Sequence, residues 1–337
     1  AFIGEYEKQP LHRGCYAELY GIKCSVCTTP LSPDEQGRIS YIKHPFFDKE
    51  CMCPSHAVSS GARRCTGCHR FEPIMNKFAD LGDNNRCVCW SCCRTVIVDS
   101  KDALPLWKRV LYFMEHHLGL PIWTGMSDIP LLVVDHDTLN ERSQRSAHHG
   151  SKQIMTRGLC LSEHHIGRRF RIPKLRYDSI GGRFAAADAE GRGLTFFRIP
   201  DASKTNPNTN VTAILCLSGM PRDLAASILA HEATHAWIKM HPDYDATKPL
   251  PPIVEEGCCQ LIAHLVLTDG LDPASNDVSA DGGPSDEKLR QYFKFSIETD
   301  EDAVYGEGFR RAGALYADIG ILPLLSHVVL YRNFPML

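Results

Sequence analysis

SILAHEATHAWIKM, residues 227–240, is the stretch on which the reading of this chain turns. It places His231, Glu232 and His235 in the order H-E-x-x-H. Residues four apart share one face of a helix, so both imidazoles can reach a single metal ion, with Glu232 beside it to take a proton from a water. Leu224, Ile228, His231, His235 and Ile238 recur at helical spacing, which predicts a helix with the histidines on its inward face. A pattern this short also arises by chance, and a buried histidine is more often hydrogen-bonded than metal-bound. A third protein ligand separates the two cases, because a catalytic zinc needs one while keeping a position open for water.

The segment PPIVEEGCCQLIAHLVL, residues 251–267, offers that ligand. After Pro251 and Pro252, the residues Glu255, Glu256, Cys259, Gln260, Ala263 and Leu267 read as a second helix beside the first. Glu256 follows His235 after 20 intervening residues and stands just before a glycine. This resembles the gluzincin peptidases, where such a carboxylate completes the zinc site. Glu255 is the alternative ligand, and otherwise a solvated charge at a helix start.

Length and composition bound the rest. At 337 residues, with 43% hydrophobic and 23% charged residues, two domains of an ordinary globular kind are expected. A net charge of -3 gives no electrostatic footprint for nucleic acid or for an anionic membrane. No apolar run reaches bilayer length and nothing at the N-terminus reads as a signal peptide. Because residue 1 is Ala, we expect the chain to be cut from something longer. The expected compartment is the cytoplasm, with the nucleus open as well.

Eleven of the 15 cysteines fall before residue 94, several in C-x2-C pairs, which points to zinc modules in a reducing compartment rather than to disulfides. Four pairs make two tetrahedral sites: Cys24, Cys27, Cys53 and His56 in the first, Cys65, Cys68, Cys89 and Cys92 in the second. The order resembles a LIM domain, with two departures: a long gap between the first two pairs, and C-x2-H where H-x2-C is usual. His44 and Cys51 are alternatives for the first site, Cys87 and Cys93 for the second; otherwise they read as small buried cysteines and a surface histidine. His12 and Cys15 form an H-x2-C pair with no partner pair upstream and read as the end of a truncated zinc module. Sites filled by four protein ligands leave no room for substrate, so this region is expected to make contacts rather than do chemistry, and to unfold on chelation.

From Leu104 the character changes. Leu106, Val110, Phe113, Met114 and Leu118 predict a helix ended by Gly119 and Pro121, with His116 and His117 at its C-terminal end. LLVVD (131–135), RGLCLSE (157–163) and VTAILCL (211–217) read as strands, the last a candidate to pair with a substrate backbone. His148 and His149 sit in a polar loop, as substrate contacts or as plain surface residues. Residues 268–286 read as a mobile acidic loop, followed by a helix started by Ser285 or Asp286 and running through Ile297, another opened by YGEGFRRAGALYADIG (305–320), and an apolar ending from Ile319 to Leu330. The fold expected is α+β: residues 1–20 a LIM remnant, 21–103 a LIM-like two-zinc module, and 104–337 a zincin-type metallopeptidase domain.

CSVC, CPSH, CTGC and CWSC, the strand RGLCLSE, the run VTAILCLSGMPRDLAASILAHEATHAW, the segment VEEGCCQ and the late VYGEGFR together resemble the DA-one family, LIM-domain peptidases activated by ubiquitin and known as plant growth regulators. The likeness runs from about His12 to Pro335. It implies His231 and His235 as zinc ligands, Glu232 as catalytic base, ubiquitin as a partner, and regulatory proteins as substrates, with one catalytic and two structural zinc ions. In such a mechanism Glu232 shuttles the proton from water to the leaving amine, and Tyr305 or His264 is the candidate donor to the oxyanion. Two other classes compete: an inert scaffold, against which the intact ligand set argues, and a cysteine hydrolase using Cys160 or Cys258, residues that otherwise read as packed hydrophobes.

Overall fold

Two C-x2-C turns shape the N-terminal third. In each, the residue after the second cysteine closes the turn, Thr28 N–H onto Cys24 O at 2.8 Å and His69 N–H onto Cys65 O at 2.9 Å. Both of these residues take left-handed backbone angles, φ 62° and 59°. A short antiparallel hairpin follows each turn, Ile42–Lys43 with Cys51–Met52 and Ala79–Asp80 with Cys87–Val88, and then a short helix, Pro54–Val58 and Trp90–Cys93, with Cys53 and Cys89 just before it and His56 and Cys92 within it. This computed structural model describes residues 2–6, 9–58, 62–140, 157–162, 169–173, 175–186, 194–198, 211–278 and 282–336. His148 and His149 lie outside them.

Cys24, Cys27, Cys53 and His56 form one cluster and Cys65, Cys68, Cys89 and Cys92 another, the ligand atoms of each within 4.8 Å of one another. The spare residues have other partners. His44 is buried, its Nε2 donating to Cys68 O at 3.0 Å while Nδ1 accepts from the amides of Phe46 and Phe47. The Cys51 and Cys87 thiols donate to Lys23 O and Arg64 O, and Cys93 packs against the main core. His12 ends the strand Gln9–His12 and Cys15 lies in the helix Arg13–Tyr20, both exposed and in no ligand cluster among the described residues.

Helix α1, Ser100–His116, starts one turn earlier than the apolar period suggests, because the Asp99 carboxylate caps it by accepting from Lys101 and Asp102 N–H. At its end His116 hydrogen-bonds Tyr112 O and stacks on the Tyr112 ring. Three strands follow: β1 (Leu131–Val134), β2 (Gly158–Ser162) and β3 (Val211–Leu217). The expected role of β3 needs correcting. It is the central strand, parallel to β1 and antiparallel to β2, so both its edges are occupied and β2 is an edge strand. All seven residues of β3 are buried, in keeping with its unbroken apolar run. Residues 175–186 fold as a hairpin, Leu175–Asp178 with Arg183–Ala186, and Arg183 pairs onto Asp80 in the hairpin of the second cysteine cluster.

The helices are α2 (Arg222–Met240), α3 (Pro252–Leu265), α4 (Asp286–Glu298), α5 (Tyr305–Ile319) and α6 (Ile321–Tyr331). No single helix among the described residues is long and apolar enough to cross a membrane. Between α3 and α4, Val266–Gly270 continues as a π-helical turn, Arg109 and Arg290 donate to the carbonyls of Gly270 and Asp272, and Arg94 holds Pro284 O and Asp286. The acidic 268–286 segment is therefore tied to the body at both ends. The first Cys/His cluster has a small core of its own, Val26, Leu31, Met52 and Phe71 with the cysteines, whereas Cys65, Cys68, Cys89 and Cys92 belong to the main core that runs through α1, β3 and α2. The result is a mixed α+β molecule with two Cys/His clusters toward its N-terminus.

Candidate metal centre

Strand β3 delivers the chain to α2 through Gly219, at φ 82°, where a Cβ would lie 2.5 Å from the Leu81 side chain. Only glycine accepts both that angle and that approach. Met220–Pro221 then pairs with Val96–Ile97, so α2 leaves from a fixed point. Fourteen of its 19 residues are buried, on all sides, which small residues at 225, 226, 230, 233 and 236 permit. Trp237 and Trp123 lock the far end, each indole donating to a backbone carbonyl, Pro121 O and Trp237 O respectively. The sequence predicts one inward face, but nearly the whole helix is core.

His231 and His235 are the openings in that burial, 15% and 11% exposed at the side chain, and both line a cleft of about 640 Å³. From α3, Glu256 brings Oε2 to 3.0 Å from His231 Nε2 and 3.5 Å from His235 Nε2. Glu255 takes the other side of the second ring, its Oε1 2.7 Å from His235 Nδ1. The sequence leaves these two carboxylates open, and the geometry separates them: Glu256 faces the nitrogens that face each other, Glu255 orients a histidine from behind. Cys259, one turn further on, also puts its sulfur within 4.8 Å of the two histidines. It is fully buried and does not line the cleft, whereas Glu255 and Glu256 do, and of these Glu256 approaches the Nε2 atoms of both histidines, a set of two imidazoles and one carboxylate. That set suits zinc, and the four close, unpaired thiols of Cys65, Cys68, Cys89 and Cys92 suit a structural zinc.

The electrostatics favour positive charge at this point. Burial works against ionising Glu256, but His235 and His231 hold its carboxyl far below the usual range. Burial likewise disfavours a charged His235, yet Cys259 and the two glutamates raise its pKa well above normal. Glu232, 5% exposed, is pushed up by burial, partly offset by both histidines. Its carboxylate packs on Gly158 at the start of β2, where a Cβ would come within 2.5 Å of Oε1.

Tyr305, at the start of α5, lines the cleft with its ring 6.3 Å from that of His231. It gets there because α3 and α5 cross glycine on glycine: a Cβ on Gly257 would meet the Gly308 backbone at 2.5 Å. His264 is not brought to the site; its Nε2 lies 2.7 Å from Glu298 and its ring packs on Phe309. Cys160 lines the cleft and Cys258 is buried away from it, and burial raises both thiols, which leaves neither a ready thiolate. The sequence reading misses His69, which reaches the cleft from the second zinc turn, and Arg157, whose Nη2 donates to His69 Nε2 at 2.9 Å.

The family model described as DA1-like, Protein DA1, matches residues 124–331 of this chain, which span β1 through α6 and the whole centre. The chain belongs to the DA1-like family. Protein DA1 of Arabidopsis thaliana is 33% identical over 354 residues, covering 99% of this chain and 62% of that protein. Protein DA1-related 1 of Arabidopsis thaliana is 34% identical over 343 residues, covering 97% and 58%. LIM domain-containing protein HDR3 of Oryza sativa subsp. japonica is 31% identical over 348 residues, covering 97% and 64%. This DA1-like chain thus spans about three-fifths of the length of these curated relatives. No solved structure matches it significantly.

Proposed function

We propose that this DA1-like chain is a zinc-dependent endopeptidase with a zincin-like catalytic domain, and that its LIM-like residues 21–103 bind partners. One observation carries the reading: His231 Nε2 and His235 Nε2 converge on Glu256 Oε2, with Glu232 buried alongside, in a cleft bordered by an edge strand. A zinc ion held by His231, His235 and Glu256 would polarise the scissile carbonyl and acidify a water. Glu232 accepts the proton of the attacking water and returns it to the departing amine; burial raises its carboxyl, which suits a group that must carry that proton between steps. Tyr305 donates its phenolic hydrogen to the developing oxyanion. An extended substrate lies along β2, an edge strand among the described residues, and pairs with it as an added strand. Resemblance to the DA-one family extends the proposal to regulatory proteins as substrates, ubiquitin as the activating partner, a part in growth control, and the cytoplasm and nucleus as the place of action.

The test pairs metal content with activity. The parent carries about three zinc ions per chain and His231→Ala with His235→Ala about two. Glu232→Gln keeps the third ion and loses cleavage of a peptide library by about 10²- to 10⁴-fold. A Glu232→Gln protein that cleaves at the parent rate sinks the assignment of the base. A double histidine variant with unchanged zinc sinks the metal site.

A further inference from the structure

Arg157 stands immediately before β2 and lines the same cleft. Its backbone is held, the carbonyl accepting from Leu217 N–H at 2.9 Å. The next residue, Gly158, is the one against which Glu232 packs. The arginines that the fold buries elsewhere each hold a carboxylate: Arg63 holds Glu72 and Asp80, Arg70 holds Glu50, Arg86 holds Asp83 and Arg290 holds Asp223. Arg157 differs. Among the described residues no carboxylate reaches ion-pair distance of it, and its hydrogen-bond partner is His69.

A guanidinium has donors only, so His69 Nε2 accepts, and the proton on its Nδ1 points to Tyr292 Oη at 3.1 Å. A nitrogen that accepts carries no proton, so this imidazole is neutral. The imidazole therefore orients the guanidinium without cancelling its charge. Its own position is set by the left-handed turn after Cys68. Lys239 also lines the cleft, and against burial the charges of Cys160, Glu255 and Glu232 raise its pKa. A half-buried, oriented cation with no carboxylate partner among the described residues is offset best by an anion from outside the chain.

We propose that Arg157 is a specificity residue of the cleft, binding a carboxylate of the substrate peptide close to the scissile bond. The inference rests on the peptidase reading. The carboxylate comes from an Asp or Glu side chain or from the end of the substrate chain; either accepts two parallel N–H donors from a guanidinium.

The experiment uses zinc-loaded protein and peptide pools randomised at all positions but one, that one fixed as Glu or as Gln, with a C-terminal acid or amide. Binding is read by fluorescence anisotropy in Glu232→Gln protein, and cleavage in the parent. The acid-bearing pool binds at least about tenfold more tightly than its neutral counterpart, as expected for one charged hydrogen-bonded pair. Adding Arg157→Gln brings that ratio close to one, and Arg157→Lys restores part of it, which a merely structural role does not predict. Preference lost on amidation alone assigns the chain terminus, and preference lost on Glu to Gln assigns the side chain. A ratio near one before Arg157 is altered, or a ratio that survives Arg157→Gln, overturns the proposal. Cleavage without acid preference leaves the peptidase reading standing and removes the anion site. Arg157-dependent acid binding with no cleavage by the parent does the reverse.

Discussion

Gly158 and Glu232 show how finely the centre depends on single atoms. A methyl group on residue 158 would stand 2.5 Å from Glu232 Oε1 and 2.7 Å from the Ile228 side chain, so the carboxylate has to move. Gly158→Ala should therefore lower cleavage about a hundredfold, the scale of a misplacement of about 1 Å, with zinc content unchanged. Equal activity in zinc-matched samples would mean that Glu232 tolerates another position. In the second zinc unit, burial tends to raise the Glu72 carboxyl, but the two-pronged grip of Arg63 and the Phe78 amide pull it below its ordinary value. The stability this gives is present above the unfolded carboxylate range and is lost as pH falls through the lowered folded value. Glu72→Gln should cost roughly 2 to 3 kcal/mol at pH 7 in denaturant melts, and the gap to the parent should close on acidification. A gap independent of pH would assign the cost to packing instead.

At the scale of elements, the crossing of α3 and α5 decides whether Tyr305 belongs to the centre. Gly257 and Gly308 face each other, and a side chain on Gly308 would meet Ile253 O at 2.5 Å. Gly308→Val should push the helices apart, costing roughly 1 to 3 kcal/mol of stability, and should lower kcat for cleavage because Tyr305 retreats with α5. If stability falls and kcat stays at the parent level, Tyr305 takes no part. That helices follow Pro252 and precede Gly320 is legible from apolar spacing and from proline and glycine positions. Their crossing is not, since a glycine inside a helical period carries no sign of what it will meet. The order β1, β3, β2 is equally silent in the chain, because a buried strand reads the same whichever neighbour it takes.

For the whole molecule, the two zinc clusters differ in what they support. The first sits on a small core of its own, while the cysteines of the second share the core that contains α1, β3 and α2. Cys24→Ser with Cys53→Ser should release one zinc ion and expose residues 21–58 to protease while the main melting transition stays within about 3 °C, because so small a core leans on its metal and little else. Cys65→Ser with Cys89→Ser should release one ion and lower or abolish the main transition. Identical behaviour of the two variants in melting and proteolysis would contradict the division of the core. His69 belongs to this second unit and touches Arg157 in the cleft, so loss of that zinc should disturb peptide binding as well as stability.

The Cys/His clusters and the H-E-x-x-H helix were determined locally: two cysteines three apart on a tight turn, or two histidines four apart on a helix, converge whatever the rest of the chain does. The α+β class and most helices followed from periodicity for the same reason. Tertiary structure alone set Glu256 against the Nε2 atoms of both histidines and Glu255 against His235 Nδ1, made β2 rather than β3 an edge among the described residues, turned His264 toward Glu298, and brought His69 and Arg157 together across 88 residues. Those outcomes depend on which surfaces pack, and packing between distant segments leaves no period or spacing in either one.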